Sequence, residues 1–220
     1  MPVVNIQVAA SSDDAGCFWN GANWQLYNLA TTYAGVGYFA AGEARMGGGY
    51  RFLNVPPPPG STINSMVFKV VAQGNYAGVI VNSRFHGQKD VNPVTFSDLA
   101  NYQARRGVVV GGADDTHITV AVEAWDGIGA FLNGVTYTSP ELKTIANEII
   151  GQPGYAAGQA WVIFWDDHDN RSTNVANTVR PIETWDDIHA SAAILTIDYT
   201  PPSAIRPFGI ASRLKELGLV

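Results

Sequence analysis

The sequence predicts an all-β sandwich with one short amphipathic helix and a C-terminal extension. Three observations predict it. Five segments alternate in hydrophobicity with a period of two, and a sixth is a short continuous apolar run. Clusters of Gly, Pro and Asn divide them. A single well-formed helical period stands among them.

The strand segments follow in chain order. Val4, Ile6 and Val8 alternate with Asn5 and Gln7. Met66, Phe68 and Val70 alternate with Val67, Lys69 and Val71. Val79, Val81 and Phe85 share one face, opposite Ile80, Asn82, Arg84 and His86. Ile118, Val120 and Val122 oppose His117, Thr119 and Glu123. Trp161 to Trp165 is the continuous apolar run of a strand buried on both faces. Ala193, Leu195, Ile197 and Tyr199 close the set, opposite Ile194, Thr196 and Asp198. Successive side chains of a strand point to opposite faces, so one set enters the core and the other meets solvent.

The helix is expected from Ser139, which suits the N-cap, and Pro140, which suits the first helical position. Leu142, Ile145, Ala146 and Ile149 then share one face, and Gly151 ends it. One such helix in an all-β chain plugs an end of the sandwich. A second, shorter helical turn is expected within Thr95 to Arg105. Gly16 to Gly49 holds many glycines with Trp19, Trp24, Tyr27, Tyr33, Tyr38 and Phe39, and is expected to form long loops. Pro56 to Pro59 is a rigid turn. These boundaries give one β-domain over 1–200 and a tail over 201–220, beginning at Thr200-Pro201-Pro202-Ser203.

Only 15% of the 220 residues are charged, against 46% hydrophobic, so Ser, Thr, Asn, Gln and Gly must cover the surface. The net charge of −6 and the absence of a basic stripe exclude direct nucleic-acid binding; Arg105-Arg106 is expected in a solvated loop. No apolar run is long enough for a membrane helix. Met1 to Val8 lacks the basic and apolar regions of a signal peptide, so export by the usual route is not expected. The single cysteine, Cys17, allows no intrachain disulfide and is expected as a small buried hydrophobe.

Asp166-Asp167-His168-Asp169-Asn170 is the densest group of chemically active side chains. One reading is a solvated polar loop between strands. The other is a structural Ca²⁺ site, since hard cations take oxygen ligands, with Asp13 and Asp14 as further donors beside Asp166, Asp167 and Asp169. The EF-hand glycine and distal glutamate are missing, and a lone His with a distant Cys is no zinc set. No Gly-x-Ser-x-Gly elbow or recognisable Cys–His pair is present, so no catalytic residue is assigned. Gly47-Gly48-Gly49 lacks the Lys-Ser or Lys-Thr of a phosphate loop. Trp19, Trp24, Trp125 and Trp185 lie in or beside loops, where they either pack locally or offer a surface to sugar rings or proteins. In the tail, Ile205, Phe208, Ile210, Leu214 and Leu217 are too apolar for a solvated end, so it is expected to dock on its own domain, a sister subunit or a capsid.

A series of segments carries a family resemblance: Ala10-Ser11-Ser12-Asp13-Asp14-Ala15; Tyr50-Arg51-Phe52-Leu53-Asn54-Val55-Pro56; Phe96-Ser97-Asp98-Leu99-Ala100-Asn101-Tyr102-Gln103-Ala104-Arg105; Ser139-Pro140-Glu141-Leu142; Gly151-Gln152-Pro153-Gly154-Tyr155; and Ala193-Ile194-Leu195-Thr196-Ile197-Asp198-Tyr199. Over roughly residues 5 to 200 the chain resembles the DNRLRE-type, carbohydrate-binding-module-like jelly-roll domains. These occur as accessory modules of secreted bacterial proteins and free-standing in environmental phage genomes. The resemblance implies a jelly-roll fold and no fixed chemistry. A short free-standing copy with an added tail fits a phage virion protein: a non-enzymatic capsid decoration or fibre component. Its expected partners are capsid or other virion proteins and further copies of itself, a trimer being the expected oligomer. The alternative is an extracellular carbohydrate-binding module or adhesin that takes glycans on its loop aromatics.

Overall fold

The computed structural model describes residues 2–20, 24–30, 32, 34–39, 45–107, 115–167 and 169–203. They fold into two antiparallel sheets packed as a sandwich. The strands are β1 (Val3–Gln7), β2 (Asp14–Trp19), β3 (Trp24–Asn28), β4 (Ala34–Tyr38), β5 (Arg45–Phe52), β6 (Thr62–Val71), β7 (Val81–Gln88), β8 (Ile118–Ile128), β9 (Thr136–Thr138), β10 (Trp161–Asp166), β11 (Thr178–Ile182) and β12 (Ile194–Thr200). Two helices interrupt them, α1 (Leu99–Arg106) and α2 (Lys143–Ile150). The smaller sheet runs β1-β12-β6-β9, and the larger runs β11-β4-β5-β10-β7-β8, with β2 pairing β5 and β3.

The main core lies between the sheets. Met66, Phe68 and Val70 of β6 and Leu195 and Ile197 of β12 meet Tyr50, Phe52, Phe85, Ile163 and Trp165. The Trp165 ring lies parallel to Phe85, centroids 5.7 Å apart, and its indole N–H donates to Ser83 Oγ at 2.7 Å. The polar edge of this buried ring is thereby satisfied where water is excluded. Alternate residues of β10 turn the other way. Val162 and Phe164 join Ala15, Cys17, Phe96 and Tyr102 in a second core, between the outer face of the large sheet and α1. The continuous apolar run at Trp161 to Trp165 thus reflects burial on both faces, as its sequence indicated.

The region expected to be loop, Gly16 to Gly49, instead holds most of β2, all of β3 and β4, and the start of β5. Gly48 and Gly49 serve close packing. A Cβ on Gly49 would lie 2.6 Å from Phe96 Cζ, and one on Gly48 2.7 Å from the Tyr50 hydroxyl. Aromatic side chains approach this strand closely, and only glycine leaves them room.

The helix positions also shift. Ser139 does not cap α2. Its hydroxyl accepts from the Phe68 amide at 2.9 Å, and its own amide donates to Phe68 O at 2.8 Å. The chain continues beside β6 through Glu141, whose carboxylate accepts from the Met66 amide at 2.6 Å, and begins helix only at Lys143. Strand pairing had a stronger claim on these groups than a helix start. The predicted face survives: Ile145, Ala146 and Ile149 are buried, and α2 packs against β6, β7 and β8. The second helix is α1, N-capped by Asp98, which accepts from the Asn101 amide at 2.8 Å. Arg105 and Arg106, expected in a solvated loop, are buried in its last turn.

In β8 the expected inner face is reversed. Val120 is 82% exposed and Val122 45%, whereas Ala121 and Trp125 pack on the core. Register shifts between β7 and β8, at His86/Gln88, change the alternation after Ile118 and Thr119, both buried. Val79 and Ile80, expected in the third strand segment, precede β7 and are exposed.

Candidate interaction site

The metal-ligand candidates are not gathered. Asp166 faces Arg106 of α1, its carboxylate taking Nε at 2.7 Å and the second terminal nitrogen at 3.1 Å. Asp167 is buried and closes the following loop by accepting from the amides of Arg171 (2.9 Å) and Ser172 (3.0 Å). Burial pushes its carboxyl up to about 6. Asp169 lies 3.3 Å from Arg84 Nε. Asp13 pairs with Arg51 at 2.9 Å and accepts from Thr95 Oγ1 at 2.7 Å. Asp14 accepts from the Trp185 amide at 2.6 Å, and burial pushes it up to about 7, with Asp186 and Asp13 adding repulsion. Each acid has its own protein partner, and among the described residues no three His, Cys, Asp or Glu side chains are placed to hold a metal ion. His168 lies outside the described residues.

The described tryptophans do not form a common platform. Trp19 is buried in the second core with Arg45 over its ring, 5.8 Å from the centroid. Trp125 stacks on Trp165, centroids 5.5 Å apart. Trp185 packs on the main core and is covered by His189 at 4.2 Å. The Trp24 side chain and the tail positions Ile205, Phe208, Ile210, Leu214 and Leu217 lie outside the described residues.

Acids collect beside Trp185. Ser11 donates to Asp186 at 2.9 Å, and Gln73 donates to Asp187 at 2.6 Å. Glu183 is pushed up to about 7 by burial, then by its hydrogen bond with and repulsion from Asp187. These contacts fasten the segment after β11 to the turn before β2 and to the chain just after β6.

The unusual surface is at the end of the sandwich where β6 runs out. There the chain exposes Phe39 (49%), Ile80 (57%), Leu132 (55%) and Val175 (41%), with Val79 and Val135 beside them. Backbone bonds tie their loops together. The Asn177 amide donates to Phe39 O at 3.0 Å, Thr173 to Ile80 O at 3.1 Å, and Tyr76 and Phe131 bond reciprocally at 2.9 and 2.8 Å. Beneath them lies Arg180 of β11, 1% exposed. Its guanidinium donates to Gly129 O (2.6 Å), Ile128 O (2.9 Å) and Val79 O (3.2 Å), so one planar fork joins the Val79 and Gly129 loops from below. Burial lowers the affinity of Arg180 for its proton. Exposed apolar side chains on loops held this firmly have the make-up of a contact surface. Sequence reading missed the site. Its one signal is Val79-Ile80-Val81, three consecutive apolar residues after Gly78, where strand alternation requires a polar one.

The fold defines the class: a two-sheet antiparallel β-sandwich. No protein-family model matches the chain, and no curated protein matches it.

Proposed function

We propose that this chain is a non-enzymatic structural subunit of a phage particle, a capsid decoration or fibre component working through protein–protein contacts. The observation that carries the reading is the apolar end formed by Phe39, Ile80, Leu132 and Val175, exposed on hydrogen-bonded loops. Contacts of this kind need apolar area already held in shape, because ordering a loose loop on binding costs free energy. The arrangement of the acids favours structure over catalysis: each candidate carboxylate is engaged by an arginine, a hydroxyl or a backbone amide. The phage setting rests on the resemblance to free-standing jelly-roll domains. Glycan recognition is the weaker reading, because a sugar stacking on Trp185 would have to displace His189.

Light scattering across a concentration series tests the proposal, alongside a glycan array. A defined oligomer without glycan binding supports it. A monomer at every concentration that binds a glycan, and loses it in Trp185→Ala, overturns it in favour of a carbohydrate-binding module.

A further inference from the structure

The apolar end and the last residues of the chain are complementary in several respects. β12 finishes at Thr200, paired with Thr62 at the start of β6, and Pro202 lies next to Gly60. The chain therefore leaves the described domain at one end of β6. The exposed set of Phe39, Ile80, Leu132 and Val175 belongs to loops at the other end, where Val135 O accepts from the Ala72 amide just past the end of β6. Residues 204–220 hold Ile205, Phe208, Ile210, Leu214, Leu217, Leu219 and Val220. They also hold three of the thirteen basic residues and one of the nineteen acids, which makes them +2 against −8 for the rest of the chain. An apolar, basic segment thus departs from one end of an acidic body whose opposite end is apolar.

We infer that the apolar end of one copy is the docking site for residues 204–220 of a second copy. The inference rests on the assembly reading above and specifies its contact. To reach the far end of its own domain, the segment would have to run back along the ten residues of β6, about 33 Å at strand rise. A second copy stacked end to end brings its apolar end to where the segment leaves. The contact is heterologous, with different surfaces on the two copies, so it builds rings or open filaments rather than isologous pairs. Apolar side chains of the segment cover Ile80 and Phe39, and the opposite net charges of segment and body favour the encounter.

The test uses full-length chains. Ile80→Asp places a charge in the docking end, and the double variant Leu214→Asp/Leu217→Asp places charges in the segment. Ile80 is exposed, both leucines lie outside the described residues, and circular dichroism checks that the variants keep the β fold. Light scattering of each variant alone should give a monomer where the parent chain assembles. An equimolar mixture should restore a 1:1 complex, because each variant supplies the half the other lacks. If the parent assembles and both variants still assemble, the docking pair is wrong and the assembly reading stands. The same holds if both fall to monomers and the mixture stays monomeric. A parent that is monomeric throughout overturns the docking inference and leaves assembly to depend on another partner. A monomeric parent whose melting temperature falls in both variants places the segment on its own domain and also overturns it.

Discussion

Arg106 and Asp166 meet in a two-point ion pair with almost no access to solvent, Nε to Oδ2 at 2.7 Å and the second terminal nitrogen to Oδ1 at 3.1 Å. The pair joins the last turn of α1 to the last residue of β10, and with Cys17, Tyr102 and Phe164 it holds the outer layer onto the large sheet. The Cys17 thiol donates to the Tyr102 hydroxyl at 2.8 Å, and burial raises both groups well out of the titrating range.

Arg106→Met leaves the Asp166 carboxylate buried without its counter-charge. Loss of one partner in such a pair costs about 3–5 kcal/mol. Chemical denaturation should show a loss of that order, and Arg106→Met/Asp166→Asn should recover a large part of it. A single variant as stable as the parent would show that the pair does not hold α1.

Asp14 makes stability depend on pH. Its carboxyl is pushed from an ordinary 3.8 to about 7, chiefly by burial. Between those values the folded chain keeps the proton that the unfolded chain has released, so raising the pH favours unfolding. The contribution is fully present below about pH 4, is lost as the pH rises to about 7, and changes little above it. Asp167 and Glu183, also raised by burial, act in the same direction. Asp14→Asn keeps an oxygen for the Trp185 amide and removes the charge. Melting curves from pH 5 to pH 8 should show a shallower decline than in the parent and a gain of a few kcal/mol at pH 8, at about 1.4 kcal/mol per pKa unit. An identical decline in both chains would contradict this assignment.

Gly87 is where α2 reaches the sheet. A Cβ there would lie 2.7 Å from Ile149 Cδ1 and 2.8 Å from Ile145 Cγ2. Gly87→Ala should lower stability by about 1–3 kcal/mol, the usual cost of overpacking. Adding Ile149→Val removes the nearest methyl and should restore part of the loss, measured by urea titration. A neutral Gly87→Ala would mean that α2 can move away freely.

Arg180→Met removes the guanidinium that bonds Gly129, Ile128 and Val79 carbonyls. Those three acceptors and Val179 O would lose a charged donor, each such bond being worth about 1.5–3 kcal/mol. Hydrogen exchange should accelerate at Tyr76 and Phe131, whose reciprocal bonds close the same end. Unchanged protection there would show that Arg180 does not brace the apolar end.

Much of the fold was legible because burial on one side of a strand leaves a period-two trace. Met66, Phe68 and Val70 are all buried, as are Leu195, Ile197 and Tyr199. The trace fails where both sides are covered or where glycine replaces a side chain. β2, β4 and the first part of β5 are buried almost throughout, and β4 and β5 are rich in glycine, so their residues show no alternation to read. β8 misled for another reason: Val120 and Val122 are apolar yet face outward after a change of register.

The candidate site was less legible. Asp166 and Asp169 are three residues apart in sequence, yet one turns inward to Arg106 and the other reaches Arg84. A dense run of carboxylates records only that they are near in sequence; which cation each one meets depends on α1 and β7.

By itself the sequence determined the class of fold, the two-sided burial of β10, the apolar face of α2 and an acidic body with a basic end, because each is a property of local pattern or of composition. The tertiary structure alone decided that Asp13, Asp14, Asp166, Asp167 and Asp169 have separate partners, that Gly48 and Gly49 seat aromatic rings, and that Phe39, Ile80, Leu132 and Val175 come to one end. Most of those relations join residues tens to more than a hundred positions apart, and the packing of the sheets and of α1, with Arg180 beneath the loops, brings them together.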